Sequence, residues 1–186
     1  KTGYTFAGWY KDEEKIESTT TVNLISDITL TAKWEIVQST LTVDPNGGTW
    51  EEQTIAQTFT QDYKSTKTIS APTQGPNGYT VIFDTNGGTS TEELRQIQTT
   101  KFKKWNLVGG GGSINNNVYT YGIDNGTILA EYSGNAMKLP TVTKVGSKFK
   151  GWYTSATDGV RRGGAGEYFT PTATETLYAQ WEEERS

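Results

Sequence analysis

The sequence contains no cysteine and no histidine. Without cysteine there is no disulfide, no thiol nucleophile and no Cys-based zinc site. Without histidine the chain lacks the usual general base near neutral pH and the commonest metal ligand. Proline (5) and methionine (1) are scarce, and apolar residues make up only 33%. No run approaches the roughly 18 apolar residues that a membrane-spanning helix needs, so no membrane insertion is expected. No secretory signal opens the sequence. Residue 1 already lies inside a motif, so the chain reads as an excised fragment. Basic residues are not in excess: 17 Lys and Arg face 21 Asp and Glu, for a formal net charge of −4. That balance argues against nucleic acid as a partner.

What is present points the other way. Aromatics reach 12% of the 186 residues, with 6 Trp, 10 Tyr and 6 Phe, which excludes wholesale disorder. Thr numbers 32 and Gly 21. A chain rich in Thr, aromatics and Gly is expected to be β-rich with many turns, in one or two domains of ordinary size.

The chain repeats itself. Gly3-Tyr4-Thr5-Phe6-Ala7-Gly8-Trp9-Tyr10 closes with Leu30-Thr31-Ala32-Lys33-Trp34-Glu35. Ser147-Lys148-Phe149-Lys150-Gly151-Trp152-Tyr153 closes with Leu177-Tyr178-Ala179-Gln180-Trp181-Glu182. Lys101-Phe102-Lys103-Lys104-Trp105 closes with Ile128-Leu129-Ala130-Glu131-Tyr132. The spacing between the two key aromatics is similar in all three, so each is one structural unit with a loop of variable length. A second pattern occurs twice, Leu41-Thr42-Val43-Asp44-Pro45-Asn46-Gly47-Gly48-Thr49 and Val81-Ile82-Phe83-Asp84-Thr85-Asn86-Gly87-Gly88-Thr89. A third runs from Tyr63 to Pro72-Thr73 and from Tyr132 to Pro140-Thr141.

Asn46-Gly47-Gly48 and Asn86-Gly87-Gly88 are turn signals, because Asn and Gly accept positive φ at little cost. The β-branched and aromatic residues before them suit strands. Ile28, Leu30 and Ala32 alternate with Thr29, Thr31 and Lys33, which predicts a half-buried strand. Phe6 and Gly8 are expected on one face, with Trp9 on the other face or at a bulge. Ser90 followed by Glu93 is a capping-box pattern and predicts about two helical turns through Ile97. Residues 108–117 and 158–164 are expected as loops, residues 36–39 as a link, and 182–186 as a fraying tail.

Each candidate site has a plainer explanation. The four glycines at 109–112 lack the Lys-Ser or Lys-Thr of a phosphate cradle and suit a hairpin loop. Asp44 and Asp84 suggest calcium loops, but Glu51 and Glu92 leave the ligand count short; turn hydrogen bonds account for them better. No metal or cofactor is therefore expected. Trp9-Tyr10 and Trp152-Tyr153 could stack on sugar rings, yet their recurrence at fixed spacing is what core positions show. Lys101, Lys103 and Lys104, with Arg161 and Arg162, could meet an acidic glycan; Lys on an edge strand also guards against aggregation. Carboxylate pairs such as Glu13-Glu14 and Glu51-Glu52 sit in polar stretches, and no Gly-x-Ser-x-Gly elbow appears, so catalysis is not expected. A Lys–Asn cross-link among Lys33, Lys138, Asn135 and Glu131 lacks an apolar surround. The expected core is Phe6, Trp9, Trp34, Trp105, Phe149, Trp152 and Trp181.

Together these motifs resemble the Listeria–Bacteroides repeat, the internalin B B-repeat family. Its pattern is a strand ending in Asp-x-Asn-Gly-Gly-Thr, a Leu-Pro-x-Pro strand, Gly-Tyr-x-Phe-x-Gly-Trp-Tyr and Leu-Tyr-Ala-x-Trp. The match is specific at residues 3–10, 30–35, 44–49, 84–89, 139–140, 149–153 and 177–182. The chain departs from the pattern at Lys104, which replaces Gly, and at Tyr132, which replaces the closing Trp. The resemblance implies a β-rich fold, all-β to α+β. It would be built as tandem β-grasp-like small modules, mostly antiparallel, with at most one or two short helices. Residues 1–36 then form the back half of a repeat whose front half is missing. Residues 37–186 form a fused or interleaved pair, with a seam near 133–135. The implied function is a non-catalytic spacer or stalk module of a bacterial surface adhesin, packed against neighbouring repeats of the same chain. It would be extracellular and attached to the cell wall; the lack of cysteine fits a Gram-positive surface. Alternatives are a module that binds a host protein or glycan, and a self-association module acting through an open sheet edge.

Overall fold

The computed structural model describes residues 1–21 and 26–185. Among the described residues there is no helix. The strands are β1 (Tyr4–Lys11), β2 (Glu14–Ile16), β3 (Thr31–Ile36), β4 (Gln38–Asp44), β5 (Gln57–Asp62) and β6 (Thr66–Thr68). They continue with β7 (Thr80–Asp84), β8 (Arg95–Ile97), β9 (Thr100–Gly110), β10 (Ser113–Asn115), β11 (Val118–Thr120) and β12 (Gly126–Gly134). Last come β13 (Met137–Lys138), β14 (Ser147–Tyr153), β15 (Arg161–Gly163), β16 (Tyr168–Phe169) and β17 (Glu175–Glu183). The fold is all-β.

The chain divides into two compact units. The first comprises Lys1–Asn46, Ile55–Ala71 and Trp105–Ala130; the second comprises Gly47–Thr54, Pro72–Lys104 and Glu131–Ser186.

In the first unit, β4 alternates strictly: Ser39, Leu41 and Val43 are buried while Thr40 and Thr42 stay partly exposed. This is the period-two pattern of a strand with one face on a core. β5 pairs with β4 antiparallel, with Leu41 opposite Phe59. On the other side β12 runs parallel to β4, with Gly126 opposite Leu41 and Leu129 opposite Asp44. The core gathers Leu41, Val43, Ile69, Trp105, Tyr119, Tyr121, Ile128 and Ala130. A separate sheet, ordered β2-β1-β3, holds the N-terminal hairpin.

The second unit centres on a five-stranded sheet ordered β15-β14-β17-β7-β8. Here β7 runs parallel to β17, with Val81 opposite Glu175 and Asp84 opposite Tyr178. Its core is Val81, Phe83, Met137, Leu139, Val142, Trp152, Leu177 and Ala179. Each Asp-x-Asn-Gly-Gly strand thus lies parallel to a closing strand more than 80 residues later. Because β7 falls between β4 and β12 in the chain, the two pairings are interleaved in sequence.

Several expectations are corrected. The helix over 90–97 does not form: Arg95–Ile97 is β8, paired with β7. The Ser90 hydroxyl does accept the Glu92 N–H, at 3.1 Å, but it donates its own proton to the Thr141 carbonyl. The cap is made without a helix behind it, because the neighbouring residues pair with β7 and complete a sheet. The loop at 108–117 is instead a hairpin region: β9 extends to Gly110, and β10 and β11 turn at Asn116 and Asn117, both at positive φ. Arg161–Gly163 likewise forms β15 within the expected 158–164 loop. The expected strand at Ile28–Ala32 begins only at Thr31. Of the tail expected to fray, Glu182 and Glu183 belong to β17, and Ser186 lies outside the described residues.

Candidate functional site

The recurring aromatics build two versions of one arrangement, at the two ends of the chain. In the C-terminal version, β14 pairs with β17 so that Phe149 faces Trp181 and Trp152 faces Ala179. A register shift between Phe149 and Gly151 marks a bulge. In a regular strand, residues three apart lie on opposite faces. The extra residue cancels one alternation and brings Phe149 and Trp152 onto one face, with ring centroids 5.5 Å apart. Gly151 takes φ 138° there, a conformation that a Cβ would oppose, and a Cβ would also lie 3.1 Å from the Gly163 carbonyl oxygen.

The N-terminal hairpin repeats this register residue for residue: Phe6 faces Trp34, Trp9 faces Ala32, and the bulge falls between Phe6 and Gly8. Gly8 takes φ 134°. Phe6 and Trp9 therefore share a face, 5.6 Å apart, and the opposite-face alternative for Trp9 does not hold. Phe6 also meets Trp34 at 5.4 Å.

Surroundings separate the two. Trp152 is fully buried: Phe83 of β7 meets its ring edge-on at 5.0 Å, and its Nε1–H donates to the Pro140 carbonyl at 3.0 Å. In the N-terminal hairpin Trp9 is 50%, Phe6 45% and Trp34 40% exposed. These three were expected in the core. They are not, because among the described residues no strand of the β7 type covers their face. Trp105 is buried in the first unit, its Nε1–H donating to Ser70 O at 3.2 Å. Phe149 and Trp181 are half-buried against the second unit's core.

The two Asp-x-Asn-Gly-Gly turns are built alike. The Asn46 N–H donates to Asp44 Oδ1 at 2.8 Å, and the Asn86 N–H to Asp84 Oδ1 at 2.8 Å. Both asparagines sit at positive φ, followed by Gly47 and Gly87, also at positive φ. Their side chains lock the neighbouring strand: Asn46 Nδ2 donates to Ala130 O at 3.0 Å, and Asn86 Nδ2 to Ala179 O at 2.9 Å. In the second unit a Cβ on Gly88 would strike the Trp181 ring, whose Nε1–H donates to Thr85 O at 3.1 Å. A Cβ on Gly48 would likewise strike the Tyr132 hydroxyl, so Tyr132 occupies the place of the closing Trp. The aspartates that suggested calcium thus serve the turn backbone. Among the described residues no three His, Cys, Asp or Glu side chains gather where they could share a metal ion.

The candidate ligand contacts are spread over different settings. Trp152 has no exposed ring face to offer a sugar, while Tyr153 beside it is half-buried. Lys101, Lys103 and Lys104 are exposed on β9, and Lys103 pairs with Glu131 at 3.2 Å. Lys101 and Phe102 help line an open groove of about 400 Å³ with Pro72, Gln74, Pro76 and Asn77. Lys33 lies over the Tyr10 ring, 4.2 Å from its centroid, and pairs with Glu13 at 3.3 Å.

Two polar residues escaped the sequence reading. Gln98 is buried, and its Nε2 donates to Asn135 O at 3.0 Å and Pro171 O at 3.3 Å while its Oε1 accepts the Tyr79 N–H. Gly78 and Gly134 leave room for it. Gln180 Nε2 donates to Ser155 O and Asp158 O, tying down the 154–160 loop. No spacing flags either residue, since their partners are backbone groups far along the chain. Tyr119 and Tyr121 meet edge-on at 5.0 Å in the first unit's core. Burial pushes both hydroxyls up from their ordinary value, and for Tyr121 the neighbouring Tyr119 adds to the effect.

Comparison with known proteins places these motifs. A protein of Evansella cellulosilytica named "Putative membrane protein" is 28% identical over 200 residues, covering 97% of this chain and 28% of that protein. A second, "Putative Gly-rich membrane protein" from the same organism, is 29% identical over 199 residues, covering 98% and 21%. The chain thus spans about a quarter of the length of these curated relatives. No solved structure matches it. Among the described residues no helix is long and apolar enough to cross a membrane. The model of the Listeria-Bacteroides repeat domain matches residues 1–33 and 109–180, more than half of the molecule, and the chain belongs to that family.

Proposed function

We propose that this chain is a non-catalytic spacer module of a bacterial cell-surface protein, holding another domain away from the envelope. One observation carries the reading: the polar groups of the recurring motif are turned inward. Trp105, Trp152 and Trp181 donate to backbone carbonyls, as do the Asn46 and Asn86 amides. A residue that recurs because it closes the fold is not free to recur as a ligand contact. The long-range parallel pairings of β4 with β12 and β7 with β17 tie distant segments together, which suits a spacer. The names of the longer Evansella relatives fit an envelope setting, and an extracellular, wall-attached location on a Gram-positive cell belongs to this proposal.

The test is a surface-display chimera with an epitope beyond the module. Deleting the module should bury the epitope, and an unrelated module of equal length should restore its accessibility. Glycan arrays and serum-protein screens of the chain should be empty. Specific, saturable binding would overturn the spacer reading.

The groove lined by Pro72, Pro76, Lys101 and Phe102 favours a second reading, binding of an acidic glycan. An apolar ring edge beside a cation suits a sugar carboxylate. That reading predicts retention on a glycan array that Lys101→Ala abolishes.

A further inference from the structure

The N-terminal hairpin and the sheet that follows it are joined by one residue. β3 is paired to its end, with Ile36 opposite Tyr4, and β4 is paired from its start, with Gln38 opposite Asp62. Only Val37 lies between them in the chain. A single linking residue has two soft dihedrals, φ and ψ, enough to act as a hinge. Here both of its backbone groups are taken. The Val37 N–H donates to Gly3 O at 2.9 Å, and the Tyr63 N–H donates to Val37 O at 2.8 Å. The first bond holds Val37 to the start of the hairpin, the second to the turn after β5.

Side chains close the same point. Gly3 is buried although Thr2 and Thr5 beside it are exposed, because the Tyr63 ring lies on it. It takes φ 78°, and a Cβ there would fall inside the ring. The turn that carries Tyr63 is itself tied to the first unit's core. The Lys64 N–H donates to Tyr121 O and the Tyr121 N–H to Ser65 O, both at 2.9 Å, and Tyr121 is buried. The C-terminal hairpin supplies a comparison. Gly146 holds the place of Gly3 there, at φ 73°, and accepts the Glu184 N–H at 2.9 Å as Gly3 accepts that of Val37. Gly146 is exposed, and among the described residues no atom lies within 4 Å of a Cβ placed on it. The backbone closure thus belongs to both hairpins, while the ring on the glycine is particular to the N-terminal one.

We propose that Gly3, Val37 and Tyr63 form a rigid joint that fixes the direction of the N-terminal hairpin against the β4–β5 sheet. Two backbone bonds remove the freedom of the linking residue, and one ring wedges the hairpin against a turn held by the core. A spacer with such a link keeps its reach, where a free hinge would let the hairpin swing. That use rests on the spacer reading; the joint itself is tested without it.

The chain has no cysteine, so two can be introduced and labelled alone. Spin labels on the double variant Glu14→Cys and Thr58→Cys, exposed positions on β2 and β5, report the distance from hairpin to sheet by pulsed electron resonance of the full chain. One narrow distance is expected. Tyr63→Ala removes the ring and Gly3→Ala drives a Cβ into it, and each should replace the narrow distance with a broad distribution. Tyr63→Phe keeps the ring and should keep the narrow distance. Gly146→Ala meets the same positive φ with no ring above it, and should also leave the distance narrow. Amide spectra of β1, β3, β4 and β5 check that hairpin and sheet stay folded. The two disrupting changes lie on opposite sides of the joint, so if Tyr63→Ala loses the turn after β5, Gly3→Ala decides. The proposal is overturned by a broad distribution in the chain with Gly3 and Tyr63 intact, by a narrow one in both Tyr63→Ala and Gly3→Ala, or by equal broadening from Gly146→Ala. Failure of the spacer reading would show instead in the display chimera, with the spin-label distance still narrow.

Discussion

Trp9 and Trp152 occupy the same place in two hairpins of the same register, each one residue after a bulge glycine and opposite an alanine. Trp152 is sealed beneath β7 and bonded to Pro140 O, while Trp9 leaves half its surface to solvent. The local sequence is nearly the same in the two, so hairpin formation does not depend on burying its aromatic face. Bulge, register and aromatic contacts arise within the hairpin, and burial is conferred by a strand from elsewhere. What recurs along the chain is therefore a hairpin with a receptive face, and its worth to stability depends on what covers it.

The largest test of this comparison is truncation of the two tryptophans. Trp152→Ala should cost about 3–5 kcal/mol in denaturant unfolding, the usual loss for a buried large aromatic. Trp9→Ala should cost no more than about 1 kcal/mol, because half the ring is already hydrated. Equal costs would mean that β7 contributes little to the C-terminal hairpin. The bulge glycines come next. Gly151→Ala should cost about 1–3 kcal/mol through positive φ and the approach to Gly163 O. Gly8→Ala should cost less, since the atom its Cβ meets is the mobile end of Lys15. Thermal melts of the pair measure the difference. Smaller again is the turn lock: Asn86→Ala and Asn46→Ala should each lose about 1 kcal/mol, near the value of one hydrogen bond. Because the two turns share their geometry, clearly unequal losses would break the equivalence drawn between them. The smallest effect at neutral pH comes from Tyr119 and Tyr121. Their hydroxyls titrate higher when folded than unfolded, so their contribution is fully present below about pH 10 and is lost as pH rises beyond it. Tyrosinate absorbance followed alongside unfolding checks the sign, and Tyr121→Phe should flatten the alkaline limb.

Much of the fold was legible in the sequence because turns and alternation are local. Asp44 and Asp84 two residues before an asparagine encode an Asx turn at both sites, and both form. The helix expected after Ser90 failed for the opposite reason: its capping signal is local, but β7 offered Arg95–Ile97 a sheet edge, and pairing outweighed about two turns of marginal helix. The glycine run at 109–112 hid a strand end, since composition alone does not show that Tyr119 sends its hydroxyl to Gly111 O.

By itself the sequence determined the repeat family, the all-β class, the turns and the hairpin aromatics. These depend on spacings of a few residues, and on backbone preferences that Asn, Gly and Thr carry wherever they stand. Only the tertiary structure decided which strand lies beside which, with 41 next to 126 and 81 next to 175. It also decided which tryptophans become core. Two equivalent strands and two hairpins of the same register offer several pairings of similar local quality, and the choice among them is made by burial, which no local spacing records.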